Sequence, residues 1–110
     1  MKYTPFDPGF PTADAEDVQL AYQAGDLLLK FTDWQEQPRS HRFAATIAFR
    51  WDDELDTSEI RDDACYIVEP SSWLQRQADL ANEPAERFVH YKLCFNACGV
   101  LDVICRHAAG

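Results

Sequence analysis

Apolar side chains recur at every second position through several separate stretches of this chain. Val18, Leu20 and Tyr22 form one such set, and Leu27, Leu29 and Phe31 a second. Phe43, Ala45, Ile47, Phe49 and Trp51 form a third, alternating with Arg42, Ala44, Thr46, Ala48 and Arg50. Successive side chains of a β-strand point to opposite faces, so a period of two marks strands with one face buried. Ala24-Gly25-Asp26 lies between the first two sets and predicts a hairpin turn. With either Ala24-Gly25 or Gly25-Asp26 as the turn pair, even-numbered residues of the first strand oppose odd-numbered ones of the second, and Leu28 and Lys30 face outward. The third set predicts one long strand over 42–51, reached through the polar connection Gln35–Ser40.

Further on, the run Ala64–Val68 predicts a short, fairly central strand ended by Pro70. Ser72 followed by Gln75 fits a capping box, and Trp73, Leu74, Gln77, Leu80 and Ala81 share one stripe of the helix it would open. Asn82-Glu83-Pro84 stops that helix. The last two strands, 87–96 and 100–106, are joined by Ala97-Cys98-Gly99, a three-residue loop ending in glycine. That loop sets Leu93 opposite Val103, Phe95 opposite Leu101, Tyr91 opposite Cys105 and Cys94 opposite Asp102.

The segment before residue 16 interleaves Pro5, Pro8 and Pro11 with Tyr3, Phe6 and Phe10, which forbids helix. It predicts an extended Pro/aromatic arm over 1–15, its rings lying across the domain or docking on a partner. Residues 16–110 then form a single α+β domain, since 110 residues in total suffice for one core. The predicted architecture is a strongly curved antiparallel sheet of about six strands, ordered β-β-β-β-α-β-β in sequence, with one helix packed against it.

Charge narrows the function. Nineteen carboxylates against ten Lys and Arg leave a formal charge of −9, a surface that repels nucleic-acid backbones and anionic lipid and suits a basic protein. No apolar run reaches the ~18 residues that cross a bilayer, and the first residues lack the apolar stretch of a secretion signal, so a cytoplasmic location is expected. The four cysteines, Cys65, Cys94, Cys98 and Cys105, are then expected as free thiols.

Chemistry-bearing patterns fare poorly. Cys94 and His90 share strand parity but stand ~13 Å apart at about 3.3 Å per residue, too far for a nucleophile and its base. Cys94, Cys98, Cys105 and His107 have zinc-ligand chemistry, yet Cys94 and Cys105 fall on opposite faces. The glycines at 9, 25, 99 and 110 make no phosphate-binding pattern, and no cofactor is implied. Residues 52–63 carry seven acidic side chains and one basic one, with Thr57 where a calcium loop requires glycine. They predict a solvated acidic loop, and its residues Asp52, Asp53, Glu54, Asp56 and Glu59 are the candidate contacts for a basic partner. Two other readings stay open: a ligand-binding barrel or small enzyme with Tyr66, His90 or Tyr91 in its pocket, and a homodimer joined through a free strand edge or the aromatic arm.

Four segments carry a resemblance. At Asp33-Trp34-Gln35-Glu36, Phe49-Arg50-Trp51, Tyr66–Leu74 and His90–Gly99 the chain resembles small bacterial β-rich proteins of unknown function. Some of these are similar to immunity proteins of toxin–immunity systems, which neutralise a secreted toxin by covering its active face. The resemblance implies a non-catalytic, immunity-type inhibitor, and it transfers no site residue because the shared segments are packing segments.

Overall fold

The computed structural model describes residues 2–54 and 60–107. Its strands are β1 (Lys2–Pro5), β2 (Glu16–Gln23), β3 (Asp26–Thr32), β4 (Pro38–Phe43), β5 (Thr46–Asp52), β6 (Cys65–Glu69), β7 (Phe88–Phe95) and β8 (Gly99–Arg106). The helix α1 spans Ser72–Leu80, and a 3-10 turn, Ala85–Arg87, precedes β7. The strands form two antiparallel sheets, a five-stranded one in the order β1-β6-β7-β8-β5 and a three-stranded one in the order β2-β3-β4. The predicted single curved sheet of about six strands is therefore corrected to two sheets.

The division occurs inside the stretch that predicts one long strand. At Ala45 the backbone enters the left-handed region, φ 51°, and the chain leaves one sheet for the other. The corner is pinned by neighbours: Ala45 N–H donates to Asp26 Oδ1 (3.2 Å), Thr46 N–H to the Gly25 carbonyl (2.7 Å) and Thr46 Oγ1 to the Phe43 carbonyl (2.8 Å). A bulge between Thr46 and Ala48 then breaks the parity that ran through the sequence. Ile47 and Ala48 both pack toward α1, while Phe49 stays 39% exposed.

The β2–β3 hairpin turns on Ala24 (φ 52°) and Gly25 (φ 86°), the two left-handed residues of a type I′ turn. The β3–β4 hairpin is organised by Asp33, whose Oδ1 accepts the N–H groups of Gln35 and Gln37, both at 2.9 Å, while Oδ2 accepts Arg39 Nε at 2.8 Å. Trp34, at the tip of this turn, is 57% exposed rather than packed.

In the β7–β8 hairpin the loop is Asn96-Ala97-Cys98, with Phe95 opposite Gly99. The sequence register is off by two: Leu93 opposes Leu101, Tyr91 opposes Val103, Cys94 opposes Val100, and Asp102 faces Lys92. A shift of two preserves which face each side chain occupies, so the inward set is unchanged while every partner differs. One face of the hairpin, with Leu93, Phe95, Leu101, Val103 and Cys105, buries against Leu27, Leu29, Phe31 and Phe43 of the small sheet. The opposite face carries Phe88 and Ile104, which pack beneath Leu74 and Ala78 of α1.

Ser71, and not Ser72, caps α1: its hydroxyl accepts the Leu74 N–H at 3.1 Å. Gln75 reaches forward to Asp79 (3.0 Å), so no capping box closes. Leu80, predicted on the buried stripe, is 75% exposed. Within the Pro/aromatic segment, Lys2–Pro5 pair with β6 as an edge strand. Phe6 packs on Tyr91 at 4.8 Å and Phe10 meets Phe31 edge to face at 5.4 Å, so these rings close the flank of the chain's own core.

Among the described glycines, Gly99, φ 150°, is the one closely approached: an added Cβ would collide with the Asp52 carbonyl and stand 2.9 Å from the Trp51 ring. Gly99→Ala is expected to lower stability by about 1–3 kcal/mol, read as a lower urea midpoint at unchanged slope. A midpoint equal to wild type would contradict that placement.

Candidate functional site

Polar and open chemistry is concentrated in several places among the described residues. The first surrounds the β7–β8 turn. Asp52 pairs opposite Val100 at the end of β5, and the Trp51 indole N–H donates to Asp53 Oδ1 at 2.8 Å. From the other side, Asp14 N–H donates to Asn96 Oδ1 (2.7 Å) and the Cys98 thiol to the Ala15 carbonyl (3.1 Å). A third segment arrives through Thr12, whose hydroxyl donates to the Asp63 carbonyl at 3.1 Å. The acidic segments around Asp14–Asp17, Asp52–Glu54 and Asp62–Asp63 are thereby brought to the end of the molecule that carries the β7–β8 turn. Arg61, inside the third segment, is paired with Asp63 at 3.1 Å.

Of the predicted contacts, Asp52, Asp53 and Glu54 are exposed at this end. Asp56 and Glu59 lie outside the described residues. Sequence reasoning missed Asp14, just before β2, and Glu16 and Asp17, at its start, which reach the turn only through the fold. Their charge is felt locally: burial pushes the Cys98 thiol up, and Glu16 and Asp17 push it the same way. Burial likewise raises Cys65 to about 12 and both Cys94 and Cys105 to about 11, so these thiols stay protonated and unreactive near neutral pH.

The second place is a buried polar chain between the five-stranded sheet and α1. Asp102 is 2% exposed; its Oδ1 lies 2.7 Å from His90 Nε2, and Lys92 Nζ bridges both carboxylate oxygens at 3.1 Å. Arg50 Nε stands 3.5 Å away and stacks its guanidinium on Trp73 at 4.3 Å. His90 Nδ1 meets the Ser71 hydroxyl at 2.8 Å. With the ring proton on Nε2 donated to Asp102, Nδ1 accepts from Ser71, whose oxygen in turn accepts the Leu74 N–H.

The order hydroxyl, imidazole, carboxylate is that of a hydrolytic relay, and sequence reasoning found none of it. Two features assign it to structure. Lys92 and Arg50 already offset the Asp102 charge that would have to stabilise an imidazolium, and the imidazole is 3% exposed beneath the Trp73 edge. The chain fastens the start of α1 to the sheet. The sequence signal for it was the parity shared by His90, Lys92 and Asp102, masked by the register two residues out.

The third place is a cleft of about 580 Å³ between the two sheets at the β4–β5 corner. Phe6, Phe43 and Tyr91 wall it, Cys105 lines it, and His41 sits between Phe10 and Phe43. Tyr91 is the one predicted pocket residue found here; Tyr66 packs with Cys94 and Val100, and His90 belongs to the buried chain.

Comparison with protein-family models, with curated proteins and with solved structures finds no match.

Asp102 makes the buried chain testable. Burial pushes its carboxyl up, but the hydrogen bond from His90 and the Lys92 ammonium outweigh this and hold it below the ordinary 3.8. A depressed carboxyl contributes stability that is fully present above its unfolded value and is lost as pH falls through the folded one. Asp102→Asn is expected to cost about 3 kcal/mol in urea unfolding at pH 7, with the gap to wild type narrowing below about pH 4. A gap that stays constant down to pH 2 would contradict the assignment.

Proposed function

We propose that this protein is a non-catalytic, cytoplasmic binding protein whose acidic end receives a basic protein, in the manner of an immunity-type inhibitor covering a toxin. The observation that carries this reading is the gathering of three acidic segments, around 14–17, 52–54 and 62–63, about the β7–β8 turn. Each segment is tied to that turn or to its neighbour by hydrogen bonds, so the carboxylates are presented on a fixed frame and a partner need not order them. In a chain of net charge −9, such a concentration speeds the encounter with a cation-rich surface and sets its orientation. Among the described residues no helix is long and apolar enough to cross a membrane.

The test is a partner captured on the immobilised protein and then measured as a pure pair. Joint Asp14→Asn, Asp17→Asn, Asp52→Asn and Asp53→Asn substitution is expected to weaken binding at least about tenfold at low salt, and raised salt should erase most of that difference. The control pair Asp79→Asn and Glu86→Gln, on and after α1, should leave affinity within about twofold. Equal loss from both sets, or affinity indifferent to salt, would refute the acidic end as the contact surface.

A further inference from the structure

Strand β8 leads from the acidic end, at Gly99, to the cleft at the β4–β5 corner, which Cys105 lines near the strand's far end. The volume of that cleft, about 580 Å³, suits a small organic molecule. In the small sheet His41 pairs with Leu29 and Phe43 with Leu27, both core residues, so the two rings point between the sheets. Tyr91, paired with the buried Val103, points there from the larger sheet. The walls are therefore rings, with Phe6 on Tyr91 at 4.8 Å and His41 on Phe43 at 4.6 Å.

The cations near the mouth turn elsewhere. Arg42, on the outer face of β4, pairs with Asp26 at 3.6 Å. Arg106, on the helix side of β8, pairs with Glu83 at 2.6 Å and lies over the Phe88 ring. Asp7 accepts the Gly9 N–H at 2.8 Å within its own turn, and His107 lies exposed beyond the end of β8. Among the walls, desolvation pushes His41 below its ordinary 6.5, and burial raises Tyr91 and the Cys105 thiol, so these groups are neutral near neutral pH.

Two polar tips remain among the rings. The Tyr91 hydroxyl and the His41 ring nitrogens have no hydrogen-bond partner among the described residues, and no buried side-chain N or O atom there lacks one, so these tips stay open to water. A neutral imidazole and a phenol each offer one donor and one acceptor. An ion entering the cleft would shed water with no counter-charge facing it. A bare hydrocarbon would dry both tips without replacing their hydrogen bonds. A flat neutral ring bearing one hydroxyl avoids both costs.

We propose that this cleft binds a small neutral phenol, its ring between Phe6, Phe43 and Tyr91 and its hydroxyl at the polar tips of His41 and Tyr91. The occupancy is independent of the acidic end, so either reading can stand without the other.

The probes are 2-naphthol, its anionic analogue 2-naphthoate and its cationic analogue 2-naphthylmethylammonium, followed by amide chemical shifts near neutral pH. 2-Naphthol should bind saturably, moving the signals of His41, Phe43, Tyr91 and Cys105 and leaving Asn96 in place. Each charged analogue should bind at least about tenfold more weakly. His41→Phe and Tyr91→Phe keep a ring and remove the polar tip; each should weaken 2-naphthol about fivefold and leave 2-methylnaphthalene, which has no hydroxyl, within about twofold. The proposal is overturned by shifts centred elsewhere, by the absence of saturation, by a charged analogue that matches 2-naphthol, or by variants that bind 2-naphthol as wild type does or lose both neutral probes equally. Where a variant loses its spectral dispersion, the ranking of the three probes on wild type decides.

Discussion

Asp102 is a carboxylate placed where water scarcely reaches, on the middle strand pair of the larger sheet, and much of the architecture answers that placement. An isolated charge at such a depth costs several kcal/mol, and here it is met by His90, Lys92 and Arg50 at once. Meeting it requires β5, β7 and β8 to lie side by side in one register, since each strand contributes a member of the group. It also requires a roof, because Arg50 is steadied by Trp73 and His90 by Ser71, both from the first turn of α1 and its cap. One buried charge thus links three strands to the helix.

The same group settles a choice that apolar packing leaves open. If β7 and β8 slid by two residues, every inward side chain would still point inward, and the core facing the small sheet would lose little of its apolar character. Asp102 would then stand opposite Cys94, out of register with Lys92 and His90. The polar chain therefore discriminates between registers of similar hydrophobic quality, a use of buried charge that adds uniqueness more than stability.

This accounts for how much could be read beforehand. Period-two patterning located β2, β3, β7 and β8 and assigned their faces, because parity survives an even-numbered error, while β6 was legible only as a continuous apolar run. It failed at Ala44-Ala45, where neither residue carries a turn signal and the alternation runs unbroken across a change of sheet. The cap slipped by one because Ser71 and Ser72 are adjacent and chemically identical. At the acidic end Asp52, Asp53 and Glu54 were legible as a charge run, whereas Asp14 joins them through a bond to Asn96 across 82 positions. The cleft is a product of two sheets meeting at the β4–β5 corner, and no local pattern encodes it.

The strand order also bears on how the chain reaches this state. Strands β2, β3 and β4 are consecutive and closed by short turns, so the small sheet asks for little loop-closure entropy. The large sheet is the reverse: β1 waits for β6 and β5 for β8, each across more than forty residues, with only β7–β8 closed by a tight turn. Such non-local pairings set the pace in β-rich chains. By loop closure alone, the two hairpin-built pieces are the cheap ones to form and the outer strands the costly ones, and the aromatic rings of the N-terminal segment close the flank that the last of these leaves.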